Sequence, residues 1–280
     1  MDMQPIALAP RGVSIPMSEL SKIAGAISQQ LARDVAPHWN VSGIVMPFEH
    51  ASDAPGEYWQ ILVVPDAHGV GGMHSRPERS DEPVIAIVQH QAKGMWSLAA
   101  SHEAIEMLID PLGANFRTGP DPRGSGKTVR FLVEVCDPCQ SLGCAYALNG
   151  VWVSDFVLPS FYQNGGSSGP FTLKENVWSP LSVTSGGILS WQEADTGNWH
   201  QLSPTGFKGP IPESEVMQAL QGANLRGAVD RRNGDYPGHL VADKELRQQK
   251  ARIAAVEKSA QQRAGRRTAA LEKFCAQHGL

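Results

Sequence analysis

The chain has no uninterrupted apolar run of the roughly eighteen residues that a membrane-spanning helix needs. Residues 1–16 have neither a basic start nor a long apolar stretch. The expectation is therefore a soluble chain, neither inserted in a membrane nor carrying a Sec leader. Positive charge is not in excess either: the net charge is −4, which gives no global attraction to nucleic acid. Cysteine is scarce. Of the four, Cys136, Cys139 and Cys144 fall close together and Cys275 stands alone, so C-x-x-C plus a third thiol lacks a local fourth ligand for a structural zinc. Reduced thiols are expected, with a bridge such as Cys139 to Cys144 reserved for an oxidising compartment. A phosphate-binding loop is also missing, because Asp121 stands where the spacing ahead of Gly126-Lys127-Thr128 requires glycine.

What is present is concentrated in residues 101–111, Ser-His-Glu-Ala-Ile-Glu-Met-Leu-Ile-Asp-Pro. On a helix, positions four apart point about 40° from one another, so His102 and Glu106 can reach one ion while Glu103 lies on its flank. The common zinc-peptidase helix reads H-E-x-x-H, with the glutamate as general base. Here Glu106 takes the place of the second histidine, a change that lowers the charge of the site and the acidity of a water activated there. A plainer reading stands beside it: Ala104, Ile105, Met107, Leu108 and Ile109 bury most of such a helix, and the ionisable stripe is then its exposed side, capped by Ser101 and stopped at Pro111. Against this, a deeply buried helix seldom carries several ionisable groups unless an ion or partner satisfies them.

These residues, read with Glu134-Val135-Cys136-Asp137-Pro138, with residues 153–159 and with Gly71-Gly72-Met73-His74, resemble a family of uncharacterised bacterial and phage proteins of zincin-like, metallopeptidase type. The shared signature is S-H-E-x-x-E-x-x-x-D-P, and with E-x-x-D-x-C after it the pattern is distantly similar to the phosphate-induced proteins of plants. The resemblance spans roughly residues 13–202. It implies an α+β fold: a zincin-like mixed sheet with an active-site helix, a small β extension and a long C-terminal helix. It also places the chain in the cytoplasm or a phage virion.

Taken in order, residues 1–16 read as an extended lead-in. Ser18 then caps a helix in which Leu20, Ile23, Ala24, Ile27, Leu31 and Val35 recur at helical spacing, ending before Pro37. Residues 39–49 and 58–65 read as strands around a turn, and 84–88 as a strand before the signature helix at 96–108. Residues 112–128 read as a mobile loop, 129–135 as a strand, and Asn149-Gly150 as the turn of a hairpin. The zincin-like domain then covers residues 17–164, with a β-rich completion at 165–203. Residues 204–242, rich in proline and glycine, read as a linker or arm with a short helix at 213–221. Residues 243–280 read as a basic helix: 243–277 hold nine basic and four acidic residues, +5 against −9 elsewhere.

The expected chemistry is hydrolysis of a peptide or protein substrate by a water activated on zinc. His102 and Glu106 are the first ligands, Asp137 or Glu134 supplies the third, and Glu103 is the base. Asp110, His74, Asp155 and Tyr146 are candidates for supporting or substrate contacts, and Tyr146, Tyr162 or a backbone N–H for holding the oxyanion. So many oxygen ligands also suit Ca2+ or Mn2+. The competing class is a non-catalytic virion or assembly protein on a metal-stabilised scaffold, docking on a partner or on itself through the C-terminal helix.

Overall fold

The structure is a computed structural model that describes residues 2–67, 71–75, 82–90, 96–163, 168–220 and 225–233, together with Lys258 and Gln262. Apart from those two positions, the expected C-terminal helix thus lies outside the described residues. Helices and sheets are mixed, as the α+β class requires.

The first sheet has the order β2-β1-β3-β5-β4: β1 (Gln4–Pro10), β2 (Gly43–Pro47), β3 (Trp59–Val64), β4 (Gly72–Ser75) and β5 (Ile85–Gln89). All its neighbours run parallel except β4, which pairs antiparallel with β5 at the edge. The stretch expected to be a lead-in is therefore corrected to a strand inside the sheet, with Ile6 on β1 opposite both Val45 and Trp59. Local pattern hides this, because Ile6, Ala7, Leu8 and Ala9 are all buried and show no alternation.

The first helix, α1 (Met17–Gln30), follows Pro16, which supplies no side-chain cap, so Ser18 is not the cap. It buries Leu20, Ile23, Ala24 and Ile27 and packs on β2. The helix does not stop before Pro37. It widens into a π turn at Leu31–Val35 and continues as α2 (Ala36–Trp39), ending on Asn40 at φ 54°. Proline brings no N–H and its ring meets the carbonyl four residues back, and the wide turn just before it takes up that conflict.

Helix α3 (Trp96–Ile109) lies against β3, β4 and β5. A second, antiparallel sheet has the order β12-β11-β10-β7-β6: β6 (Phe116–Pro120), β7 (Thr128–Leu132), β10 (Leu189–Glu193), β11 (Trp199–Ser203) and β12 (Gly206–Ile211). Between β7 and β10 comes the hairpin of β8 (Tyr146–Leu148) and β9 (Val151–Val153), whose turn residues Asn149 and Gly150 have φ of 51° and 77°. That is the left-handed pair an Asn-Gly turn favours. β9 packs on α3, and one apolar cluster joins helices and both sheets.

Two further expectations are corrected. Residues 116–120 of the supposed loop are strand β6, paired with β7. The supposed linker holds β12, α4 (Glu213–Ala219) and α5 (Leu225–Asn233), and Val216, Ala228 and Val229 close a second core with Leu132, Trp199 and Ile211. Proline and glycine content misled here, since Gly206 and Gly209, at φ 115° and 103°, shape a β-hairpin edge rather than a free arm. No described helix is long and apolar enough to cross a membrane.

Candidate metal centre

Apolar packing turns the ionisable side of α3 inward. His102, Glu103, Glu106 and Asp110 are all buried, His102 being 5% exposed. Ser101 lies within the helix, its Oγ donating to the Leu98 carbonyl at 2.9 Å and accepting from Ser154 N–H at 2.8 Å. It ties α3 to the end of β9 rather than capping the helix.

The facing wall is the chain that leaves β7. Val133 and Val135 are pinned by backbone bonds to Asn115 and Val157, at 2.9 and 2.8 Å, and the Asp137 carbonyl accepts from Ile188 N–H at 3.0 Å. This delivers Glu134, Cys136 and Asp137 onto α3. His102 Nε2 lies 3.0 Å from Glu106 Oε2 and 3.5 Å from Asp137 Oδ1. The other Glu106 oxygen accepts from Cys136 N–H at 3.0 Å.

Beside Asp137 stands a group the sequence reading missed. Arg226 of α5, its side chain 14% exposed, brings Nη1 to 3.0 Å from Asp137 Oδ1 and Nε to 2.8 Å from Asp230 Oδ2. Asp230 is held in turn by Gln201 Nε2 at 2.5 Å. Despite these charged neighbours, Asp137 Oδ1 has no hydrogen bond, and neither has the buried hydroxyl of Tyr162. Burial, and then the negative charge of Glu106 and Asp137, push its pKa well up, so it stays a donor.

The base candidate has its own support. His74 on β4 sets Nδ1 3.3 Å from Glu103 Oε2 and Nε2 3.2 Å from the Asp110 carbonyl. A carboxylate and a carbonyl both accept, an arrangement that favours the doubly protonated ring. In accord with this, His74 titrates above its ordinary range: burial opposes the charge, and the bond to Glu103 and the carboxylates around it outweigh that. Gly72 is required at the opening of β4, because a Cβ there would meet Glu103 Oε1 at 2.7 Å. Asp110 turns both carboxylate oxygens to the N–H groups of Ala114 and Asn115, at 2.9 Å each, and so closes the end of α3.

Two other candidates sit elsewhere. The Tyr146 hydroxyl donates to Asp34 Oδ2 at 2.8 Å and accepts from Gln30 Nε2 at 3.0 Å, on the α1 side. Asp155 accepts from Phe156 N–H, Lys174 N–H and Asn176 Nδ2, at 2.9, 3.1 and 2.8 Å, and shapes the 171–177 loop. Both are spent on structure rather than on the His102 cluster.

The electrostatics split the glutamates. Burial opposes ionisation of Glu106, but the charge of His102 and hydrogen bonds from His102 and Glu134 bring its pKa down to about 2. Burial and then the charges of Glu106, Asp110 and Asp137 push Glu134 well up, and its hydrogen bond with Glu106 acts in the same direction. His102 is raised well above its ordinary range: burial opposes the charge, but Glu106 and Asp137 outweigh it. Without metal, the folded His102 thus keeps its proton to higher pH than the unfolded chain, whose histidine titrates near 6.5. Its stabilisation is complete below that pH and is lost as pH rises through the folded value; Glu134 acts in the same sense from 4.5 upward. Glu106 opposes them only in acid, losing its contribution as pH falls from 4.5 toward about 2. Urea midpoints of the metal-free protein should therefore fall from pH 6.5 to 9, and a flat or rising profile would contradict a protonated His102.

Among the described residues, two groups have donor atoms all within 4.8 Å of one another: His102, Glu106 and Cys136, and His74, Glu106 and Glu134. The first fits a divalent ion. The edge of a tetrahedral zinc site with bonds of 2.0–2.1 Å is roughly 3.3 Å, and His102 Nε2 lies 3.0 Å from Glu106 Oε2, near that length. Asp137 borders the same space, its Oδ1 3.5 Å from His102 Nε2 and 3.0 Å from Arg226 Nη1. In the second group His74 already spends both nitrogens. Comparison with family models, with curated proteins and with solved structures found no match to this chain.

Proposed function

We propose that the chain is a zincin-like, metal-dependent hydrolase acting on peptide or protein substrates. The observation that carries this reading is the convergence of His102 Nε2 on Glu106 at 3.0 Å and Asp137 at 3.5 Å, with Glu103 one helical position away. An edge strand antiparallel to its neighbour, lying along α3, supports the zincin-like part of the reading. His102 and Glu106 would hold the ion with a third group from the 134–137 wall. When bound, zinc supplies Lewis acidity to a water and to a substrate carbonyl. Glu103, oriented by His74, takes the proton from the attacking water and returns it to the leaving amine. Tyr162, still protonated, is the donor best suited to hydrogen-bond the oxygen on which charge develops.

One observation favours a second reading. His74, His102 and Arg226 already face Glu103, Glu106 and Asp137, so the cluster has counter-charges without an ion and can serve as a buried structural network. Metal content separates the two. Elemental analysis of protein purified without added metal should find about one zinc per chain, and cleavage of a peptide library should stop on chelation and return with zinc. Protein that binds no metal and cleaves nothing is the structural network, and calcium in place of zinc assigns a structural ion.

A further inference from the structure

Which wall residue completes the ligand set follows from what each is already doing. Asp137 Oδ1 faces Arg226 Nη1 at 3.0 Å, so its charge has a cation, and Asp137 belongs to neither close donor group. Glu134 is bonded to Glu106 and sits in the group whose histidine has no free nitrogen. Cys136 is different. It is fully buried, its N–H is tied to Glu106 Oε1 at 3.0 Å, and its Sγ rests 3.8 Å from the His102 carbonyl, a weak contact. Cys144 has Ser141 Oγ at 3.3 Å and Thr184 Oγ1 at 3.5 Å and belongs to neither group. Nearby in the same core, the buried Tyr162 hydroxyl has no hydrogen-bond partner.

We propose that Cys136 is the third protein ligand, so that His102, Glu106 and Cys136 form a nitrogen, oxygen and sulfur centre. The inference rests on the metal reading above and deepens it. On binding, the Cys136 thiol proton and the Nε2 proton of His102 leave to solvent, and the freed sulfur and nitrogen lone pairs form the bonds to the ion. A thiolate makes the site selective for zinc-like ions and unsuited to calcium or manganese, which take oxygen ligands. Arg226 remains the partner of Asp137, which stands outside the ligand set.

The test is cobalt(II) titration of the full-length, reduced protein followed by absorption spectroscopy. A thiolate-to-cobalt charge-transfer band in the near ultraviolet is expected in the wild type and in Cys144→Ala, and its loss in Cys136→Ser and Cys136→Ala. Cobalt bound without that band, or a band that persists in Cys136→Ala, overturns the role of Cys136 while leaving the metal reading standing. No cobalt bound at all overturns both. Should the Cys136 variants fail to fold, X-ray absorption on the zinc-loaded wild type decides: a sulfur shell at about 2.3 Å is expected, and a shell of nitrogen and oxygen alone overturns the proposal.

Discussion

Glu103→Gln is expected to keep the metal and lose turnover by about 10²–10⁴-fold, the range for removing a positioned general base. Glutamine preserves the shape that Gly72 leaves room for, and its carbonyl oxygen can still accept from His74 Nδ1, now 3.3 Å from Glu103 Oε2. What it cannot do is take a proton. The ligand set of His102 and Glu106 lies on the adjoining face of α3 and is unchanged, so metal content should match the wild type. Stopped-time cleavage of a peptide identified from the library gives kcat, and elemental analysis gives the metal. Undiminished cleavage would remove Glu103 from the role of base. Loss of metal together with activity would place it in the ligand set.

Arg226→Met should lower the stability of the metal-free protein by about 3–5 kcal/mol, the usual cost of stripping one partner from a buried ion pair. The side chain is nearly out of solvent and serves two carboxylates, Asp137 and Asp230. Methionine replaces much of its apolar stem, so the loss reports charge more than packing. Burial already pushes Asp230 above the ordinary carboxylate range even with Arg226 present, and without it the protonated form gains further. Saturating zinc should recover part of the loss, because a divalent ion close to Asp137 replaces the missing cation and stabilises by binding only the folded state. Urea unfolding with and without zinc measures both quantities. A loss below about 1 kcal/mol, the range of an exposed pair, would mean that Arg226 is not the counter-ion of this cluster.

Arg226 also marks where sequence reading ended. It sits in residues 204–242, where proline and glycine suggest a linker, and nothing in its neighbours announces a partner. It reaches Asp137 because α5 docks through Ala228 and Val229 on the second sheet. Cys136 was legible only as part of a cysteine cluster. Its relation to Glu106 needs the chain beyond β7 to come against α3, which no local spacing encodes. Tyr162 was one of three possible donors, and only the commitment of Tyr146 to Asp34 and Gln30 separates them.

The sequence by itself determined what depends on neighbours a few positions apart: the shared face of His102 and Glu106, with Glu103 on its flank, and the left-handed turn at Asn149 and Gly150. These follow from helical geometry and from backbone sterics, which act within a turn of chain. Tertiary structure alone decided that β1 lies inside the sheet, that the helix runs on through a π turn past Pro37, that His74 lies between Glu103 and the Asp110 carbonyl, and that Arg226 closes the cluster. Strand pairing and burial of charge are set by which distant segments share a core, and their free energy resides in contacts between segments rather than in any one of them.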